Sequence, residues 1–179
     1  MKNLNICFIG CGDHANRFVY PSLANCPGTT LQAVCALDAT QAEENRKRHG
    51  ANRAYTDYKE MILTEQPDAV IIIGPPRLHY EAGLFCADRK IPFYMEKPCG
   101  ENPQQAEELC NAARKNGVFG QVGFMMRHSA VVREIARIEA ENELGGLNYG
   151  TVKYFTSGPY RSDEIYGICL LYTSDAADD

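Results

Sequence analysis

The sequence predicts an α/β fold with a doubly wound parallel sheet, and two patterns carry that prediction. Short apolar runs alternate with longer helical patterns through roughly the first hundred residues, as in successive βαβ units. The run AVIII at residues 69–73 has no polar alternation, which indicates a strand covered by helices on both faces. With 179 residues, 45% of them hydrophobic, the chain can bury one substantial core and part of another.

The same alternation places the individual elements. Strands are predicted at residues 5–9, 31–37, 69–73, 92–95 and 119–123. Helices are predicted between them at residues 13–25, 40–49, 58–65, 79–89 and 103–116. Asn102 can cap the last of these helices and Gly117 can end it. Pro21 lies inside the first helix and should kink or shorten it.

The pattern changes after residue 123, where we place a domain boundary. A helix with an apolar stripe is predicted next, followed by a strand at residues 149–155; the stripe consists of Val131, Val132, Ile135 and Ile138. The sequence thus predicts a first domain at residues 1–122 and the truncated start of a second at 123–168. Residues 169–179, CLLYTSDAADD, resemble a translated sequencing adapter and are predicted to be a non-native tail; the alternative is a frayed acidic terminus.

Composition excludes several classes of partner. The formal charge of -5 argues against nucleic acid or an anionic membrane as the main partner. No CxxC pair occurs, and the histidines at positions 14, 49, 79 and 128 form no metal-ligand pattern, so no metal is expected. The eight scattered cysteines favour a reducing compartment. The longest apolar run is too short to span a bilayer, and no leader pattern precedes the first strand, so we expect a cytoplasmic protein.

A glycine fingerprint follows the first strand directly. CFIGCGDHA places Gly10, Gly12 and Ala15 in the G-x-G-x-x-G/A pattern at the start of a helix. Gly10 permits a tight turn, Gly12 lets the backbone approach a pyrophosphate, and Ala15 allows close packing of helix on strand. The N–H groups at the helix start, where Asp13 and His14 lie, attract phosphates. These five residues are predicted to bind a dinucleotide.

An acid ends the second predicted strand. Asp38 lies 23 residues beyond Ala15, where a carboxylate accepts hydrogen bonds from the adenosine ribose. Asp38 is equally suited to cap the helix that follows, and the two roles are compatible. Because this carboxylate would repel a 2′-phosphate, the sequence favours NAD over NADP.

A proline-rich loop follows the AVIII strand. In GPPRLH, Gly74 and Pro75 would lie at the carboxyl edge of the sheet, where doubly wound folds bind ligands. Prolines cannot donate backbone hydrogen bonds, so this loop is expected to cover a ligand. His79, just beyond, would face cofactor or substrate, or else serve the helix structurally.

The segment YMEKPCG follows the next strand at the same edge. Pro98 restricts Lys97 to extended geometry, and the bond between them can be cis, so the backbone sets the direction of the lysine. An ammonium near the hydride path can hold a substrate hydroxyl and stabilise charge on its oxygen. Lys97 is therefore the predicted catalytic residue.

The sequence resembles the glucose-fructose oxidoreductase, inositol dehydrogenase and MocA family over residues 1 to about 160. The resemblance rests on the motifs above and on two more, VGFMMRH at residues 122–128 and LGGLNYGTVKY at residues 144–154. The resemblance implies a Rossmann domain followed by an α/β domain with an open-faced sheet. It also implies NAD(P)-dependent oxidation or reduction of sugars and polyols, and a homo-oligomer. Lys97 would contact substrate and nicotinamide, Glu96 would hold the cofactor end of the loop, and Arg127 would match the family's GF-x-x-R arginine.

The chain departs from the family pattern at two places. Pro76 stands where the family usually has a side-chain donor. No histidine follows His128, so the acid/base histidine expected in the second domain is missing. We therefore expect this fragment to bind NAD weakly and to turn over nothing measurable. An NAD-dependent glycosidase and a non-catalytic dinucleotide-binding regulatory module remain open as alternatives to the oxidoreductase.

Overall fold

A computed structural model describes residues 3–141 and residue 151. Its sheet has six parallel strands in the order β3-β2-β1-β4-β5-β6. Their bounds are β1 Leu4–Ile9, β2 Thr29–Cys35, β3 Arg53–Tyr55, β4 Ala69–Ile72, β5 Phe93–Met95 and β6 Gly120–Val122. This order is that of a doubly wound dinucleotide-binding sheet, so the predicted fold class is confirmed.

Six α-helices are described, together with a π-helical turn at Ala15–Val19 and a 3₁₀ turn at Met125–His128. The helices are α1 Tyr20–Ala24, α2 Ala39–His49, α3 Tyr58–Glu65, α4 Pro76–Asp88, α5 Pro103–Asn116 and α6 Ala130–Glu141. The predicted strand at residues 149–155, apart from residue 151, and the predicted tail at 169–179 lie outside the described residues.

Side-chain caps explain where α2 and α5 begin. Oδ1 of Asp38 accepts from the Gln41 N–H at 2.8 Å at the start of α2. Asn102 makes the equivalent bond to the Gln105 N–H, at 2.9 Å, at the start of α5. Each cap satisfies a backbone donor that the first turn of the helix leaves unpaired. The caps expected for Asp38 and Asn102 are confirmed.

The first helix differs from the single helix predicted at residues 13–25. The N–H of Tyr20 donates to the Ala15 carbonyl, five residues back, and closes the π-helical turn; α1 then begins with Pro21 as its second residue. Pro21 has no N–H for the Arg17 carbonyl, and its ring crowds that carbonyl, so the turn before it widens.

Two further boundaries correct the sequence predictions. The strand Arg53–Tyr55 was not predicted, because three residues are too few to show a period. Helix α4 begins at Pro76 and not at residue 79. Proline is tolerated at the first helical position because a backbone N–H there would have no acceptor within the helix, so its loss costs no hydrogen bond. Pro76 therefore belongs to the helix, and only Gly74 and Pro75 form the loop.

Helices cover both faces of the sheet. On one face, Ile9, Val70 and Ile72 pack with buried side chains of α3, α4 and α5. On the other, Phe8 and Val34 pack with the π-helical turn, α1 and α2. Burying each large apolar side chain contributes about 2 kcal/mol to the free energy of unfolding. The two cores hold the sheet between helix layers and fix the positions of the loops at its edges.

The chain divides into two compact units, residues 1–125 and 126–179. Within the second, the stripe of α6 is solvent-exposed; its members are Val131, Val132, Ile135 and Ile138. None of the helices within residues 3–141 combines the length and apolarity needed to cross a bilayer.

Candidate functional site

The candidate site lies at the carboxyl edge of the sheet. Because every strand is parallel, the loops after β1, β2, β4 and β5 all emerge there. Strand β2 lies on one side of β1 and β4 lies on the other, so the direction of the strand order reverses between β1 and β4. Ligands of doubly wound folds bind at this reversal. The fold thereby brings the predicted residues of unit 1 to one edge.

The two loop glycines meet different surroundings. Gly10 has φ +111°, and a Cβ added to it would lie 1.8 Å from the Ile73 carbonyl oxygen. Gly12 has no such neighbour: a Cβ there would meet no atom within 4 Å among the described residues. Gly10 is therefore required by the protein itself, whereas Gly12 leaves room at the helix start for a ligand. Ala15 is fully buried beneath that start.

The carboxylate of Asp38 is exposed at the end of β2. Its Oδ1 caps α2, while Oδ2 makes no hydrogen bond within the described part of the chain. A carboxylate accepts at both oxygens, so the cap leaves one oxygen able to accept from a ribose hydroxyl.

His79 is buried between two loops. The Gly74 N–H donates to Nε2 at 3.0 Å, so the proton is on Nδ1, which donates to the Pro98 carbonyl at 2.7 Å. Burial lowers the pKa of the imidazole, although the hydrogen bond to Pro98 and the charge of Glu96 oppose that shift. Both ring nitrogens are used within the protein, so neutral His79 joins the loop after β4 to the loop after β5. Pro75 lies between them as the N-terminal cap residue of α4.

Glu96 and Lys97 follow β5 directly. Glu96 accepts from the Tyr94 hydroxyl at Oε1, at 2.8 Å, and from the Lys97 N–H at Oε2, at 3.3 Å. The bond between Lys97 and Pro98 is cis. The Lys97 side chain is exposed, and its Nζ has no hydrogen bond or ion pair within residues 3–141. A fixed backbone thus presents an ammonium whose donors are available to a ligand.

His14 connects the glycine loop to the loop after β5. Its Nε2 lies 3.8 Å from Oε1 of Glu96, and the Glu96 side chain is only 16% exposed. Asp13, its neighbour, pairs with Arg17 at 3.3 Å on the surface. The loops after β1 and β5 therefore meet across the edge of β4.

Arg127 lies on the 3₁₀ turn Met125–His128, where it is exposed. It belongs to the second compact unit, whereas the other predicted site residues belong to the first.

Sequence reasoning missed four residues that hold the site loops. Asn16, Tyr20 and His49 lie behind the glycine loop, and Tyr94 fixes the Glu96 carboxylate. Tyr94 had a usable signal, since it lies on β5 only two residues before Glu96. Nothing local to Asn16 indicates its contact with His49, which lies 33 residues further along the chain.

The site has no metal-binding character within the described residues, where no group of three or more His, Cys, Asp or Glu side chains is placed to hold an ion. Its open glycine loop, the remaining carboxylate oxygen of Asp38 and the exposed Lys97 have the character of a dinucleotide site. The sequence model of an oxidoreductase family with an NAD-binding Rossmann fold matches residues 4–124. The chain belongs to the Gfo/Idh/MocA family.

Two dehydrogenases resemble the chain in sequence. D-glucoside 3-dehydrogenase of Escherichia coli (strain K12) is 27% identical over 150 residues, which are 84% of this chain and 43% of that protein. The scyllo-inositol 2-dehydrogenase (NADP(+)) IolU of Bacillus subtilis is 32% identical over 115 residues, 64% of this chain and 35% of the relative. The chain thus spans less than half the length of these relatives.

A solved structure agrees with this assignment. The myo-inositol 2-dehydrogenase of Lactobacillus plantarum matches with a TM-score of 0.69 and 30% identity, over 76% of this chain and 41% of that one. The family model that this Gfo/Idh/MocA member matches is NAD-binding, and the name of one relative, IolU, states NADP(+).

Proposed function

We propose that the chain forms the dinucleotide-binding half of an NAD(P)-dependent oxidoreductase of sugars, polyols or related carbinols. One observation carries the proposal: the open glycine loop after β1 and the exposed Lys97 after β5 lie at the same edge of the sheet. The names of the relatives, which include a glucoside dehydrogenase and inositol dehydrogenases, support the substrate class.

The residues of this chain would bind and orient the cofactor. The backbone at Gly12, Asp13 and His14 would receive the pyrophosphate at the start of the helix, where positive dipole ends favour an anion. Asp38 would accept from the adenosine ribose through its remaining oxygen. The same carboxylate disfavours a 2′-phosphate, so we propose that NAD is preferred over NADP. The nicotinamide, when bound, supplies the hydride acceptor or donor.

Lys97 would act on the substrate oxygen. During oxidation a carbinol loses a hydride from carbon and a proton from oxygen, and an ammonium held beside that oxygen stabilises the developing charge. Glu96 would keep the Lys97 backbone in place through the bond to its N–H. We propose that a histidine in the portion of the relatives that this chain does not span accepts the proton, so the chain alone is inactive.

Several attributes accompany this proposal. Residues 1–122 would bind the dinucleotide, and residues 123–168 would begin a domain for substrate binding and homo-oligomerisation. Arg127 would contribute to cofactor binding from the start of that domain. We propose a cytoplasmic location, because the free thiols of Cys7, Cys35 and Cys86 suit a reducing compartment.

Calorimetric titration of the 179-residue chain with NAD⁺ and NADP⁺ tests the proposal. We expect saturable binding of a dinucleotide, tighter for NAD⁺, and at least tenfold weaker binding to the Gly12→Ala variant, whose added methyl group fills the pyrophosphate space. Absence of binding to either dinucleotide would contradict the proposed function. NADH formation by the chain with a glucoside or an inositol would refute the assignment of the acid/base group outside it.

A further inference from the structure

Three successive carbonyl groups of the glycine loop accept hydrogen bonds from side chains behind it. The Tyr20 hydroxyl donates to the Gly10 carbonyl at 3.1 Å. Nδ2 of Asn16 donates to the carbonyls of Cys11 and Gly12, at 2.8 and 3.0 Å. These contacts fix which way each peptide unit of the loop faces, because the carbonyl and the N–H of a peptide unit point in opposite directions.

The orientation of the Asn16 amide is itself fixed. Its Oδ1 lies 2.6 Å from Nε2 of His49, the last residue of α2. Since Nδ2 faces two carbonyls, the oxygen must face the imidazole, and Nε2 must carry a proton and donate it. An amide with both ends satisfied cannot turn without losing hydrogen bonds, so His49 holds Asn16 in the orientation that serves the loop.

Stacked rings set the position of His49. The Tyr20 ring lies between Phe8 and His49, with centroid separations of 3.8 and 4.1 Å and interplanar angles of 16° and 5°. Tyr20 is 2% exposed and Phe8 belongs to the central strand of the sheet. The imidazole is thus supported by the core.

We infer that Asn16, supported by His49 and Tyr20, is the positioning residue of the pyrophosphate subsite. A carbonyl oxygen turned toward a diphosphate repels it, whereas an N–H attracts it. By holding the carbonyls of Cys11 and Gly12 on the protein side, Asn16 keeps the loop ready for an anion before any ligand arrives. This inference rests on the proposed binding of a dinucleotide and names the residue that prepares the loop for it.

Substitution of Asn16 by Asp tests the inference most directly. The variant keeps the size of the side chain but replaces the donor to two carbonyls by an acceptor. We expect affinity for NAD⁺ and for ADP to fall at least tenfold, while affinity for adenosine, which has no phosphate, stays within twofold. Calorimetry would follow the first two ligands and NMR titration the third.

Asn25 provides a matched control. It is exposed at the end of α1, and its Nδ2 donates to the Pro21 carbonyl at 2.9 Å, away from the glycine loop. Asn25→Asp therefore makes the same chemical change at the opposite end of the helical segment. We expect it to leave affinity for all three ligands within twofold.

Variants of His49 distinguish its hydrogen bond to Asn16 from its packing on Tyr20. His49→Phe keeps a ring on Tyr20 but removes the donor to Asn16, so we expect weaker binding of NAD⁺ and ADP; His49→Gln restores a donor and should recover part of the affinity. If Asn16→Asp does not fold, the His49 variants still test whether the Asn16 amide positions the loop.

Wild-type affinity for ADP in a folded Asn16→Asp or His49→Phe variant would overturn the inference. An equal loss for adenosine would overturn it too, because Asn16 would then serve only the fold. If the wild-type chain binds no dinucleotide, the proposed function itself fails, so the two failures are distinguishable.

Discussion

The Nδ1–H of His79 donates to the Pro98 carbonyl at 2.7 Å and thereby connects α4 to the loop that carries Lys97. Burial lowers the pKa of His79 below its ordinary value of 6.5. Protonation therefore favours the unfolded state, whose histidine binds the proton more tightly. Stability is fully present above about pH 6.5 and is lost as the pH falls from there through the folded pKa.

We expect the His79→Gln variant to show a smaller loss of stability between pH 7.5 and 5.5 than the wild-type chain, although its stability at pH 7.5 is lower. Urea unfolding at the two pH values measures this. His128→Gln, at an exposed position, serves as the control and should keep the wild-type pH dependence. An unchanged pH dependence in His79→Gln would contradict the assignment.

Alanine substitutions at the two loop glycines should impair different properties, stability at Gly10 and dinucleotide binding at Gly12. Gly10→Ala places a methyl group against the Ile73 carbonyl at a positive φ, so we expect the free energy of unfolding to fall by about 3 kcal/mol or more. Gly12→Ala meets no protein atom, so its melting temperature should stay near that of the wild type while dinucleotide binding is lost. Thermal melting and calorimetry on both variants separate the two effects. A destabilised Gly12→Ala would show that its surroundings are not open.

Lys97→Met removes the ammonium but keeps an unbranched side chain. In the longer oxidoreductase that we propose contains this chain, kcat should fall at least about 100-fold, because charge on the substrate oxygen loses its stabilising partner. The affinity for NAD⁺ should change less than threefold. Lys115→Met, at an exposed position on α5, is the control and should keep full activity. Comparable kcat values in the two variants would exclude Lys97 from catalysis.

Glu65 stabilises the short strand β3. Its carboxylate accepts from the Tyr55 hydroxyl and from Nε2 of Gln32, and it pairs with Arg53 at 3.3 Å. Burial alone would raise the pKa of Glu65, but these hydrogen bonds and the charge of Arg53 outweigh burial and lower it. We expect Glu65→Ala to reduce the free energy of unfolding by about 2 kcal/mol.

Urea unfolding at pH 7 measures that loss, with Glu44→Ala, at an exposed position on α2, as the control. Because the folded pKa is lowered, the contribution of Glu65 is present above the unfolded value and should disappear as the pH falls through the folded pKa. A Glu65→Ala variant as stable as Glu44→Ala would refute the role given to the carboxylate.

The sequence predicted those parts of the fold that local chemistry determines. The bounds of α3 and α5 were predicted to the residue, because Asn102 and Gly117 mark the ends of α5 and an apolar period marks α3. Strand β3 was missed because its three residues are too few to show a period, and because its pairing with β2 is a tertiary contact that no local pattern reports. The segment that contains Lys97 could be singled out as a candidate because proline and charge are visible in one stretch.

The supports of the site were not predictable in the same way. The contact between Asn16 and His49 depends on how α2 packs against the first helical turn, and no spacing within either segment reports that packing. His79 was placed near the site, but its contacts with Gly74 and Pro98 arise only when β4 and β5 pair. Residues that act by tertiary contact leave no local pattern.

The contrast between Gly10 and Gly12 has a consequence for the history of such proteins. A descendant that abandoned nucleotide chemistry but kept its architecture would be forced to retain Gly10, whose place no side chain can take, while Gly12 would be released to mutate. The two positions would then drift apart over evolutionary time. Their joint presence or separation across a lineage would record when selection for the ligand ended and selection for folding alone remained.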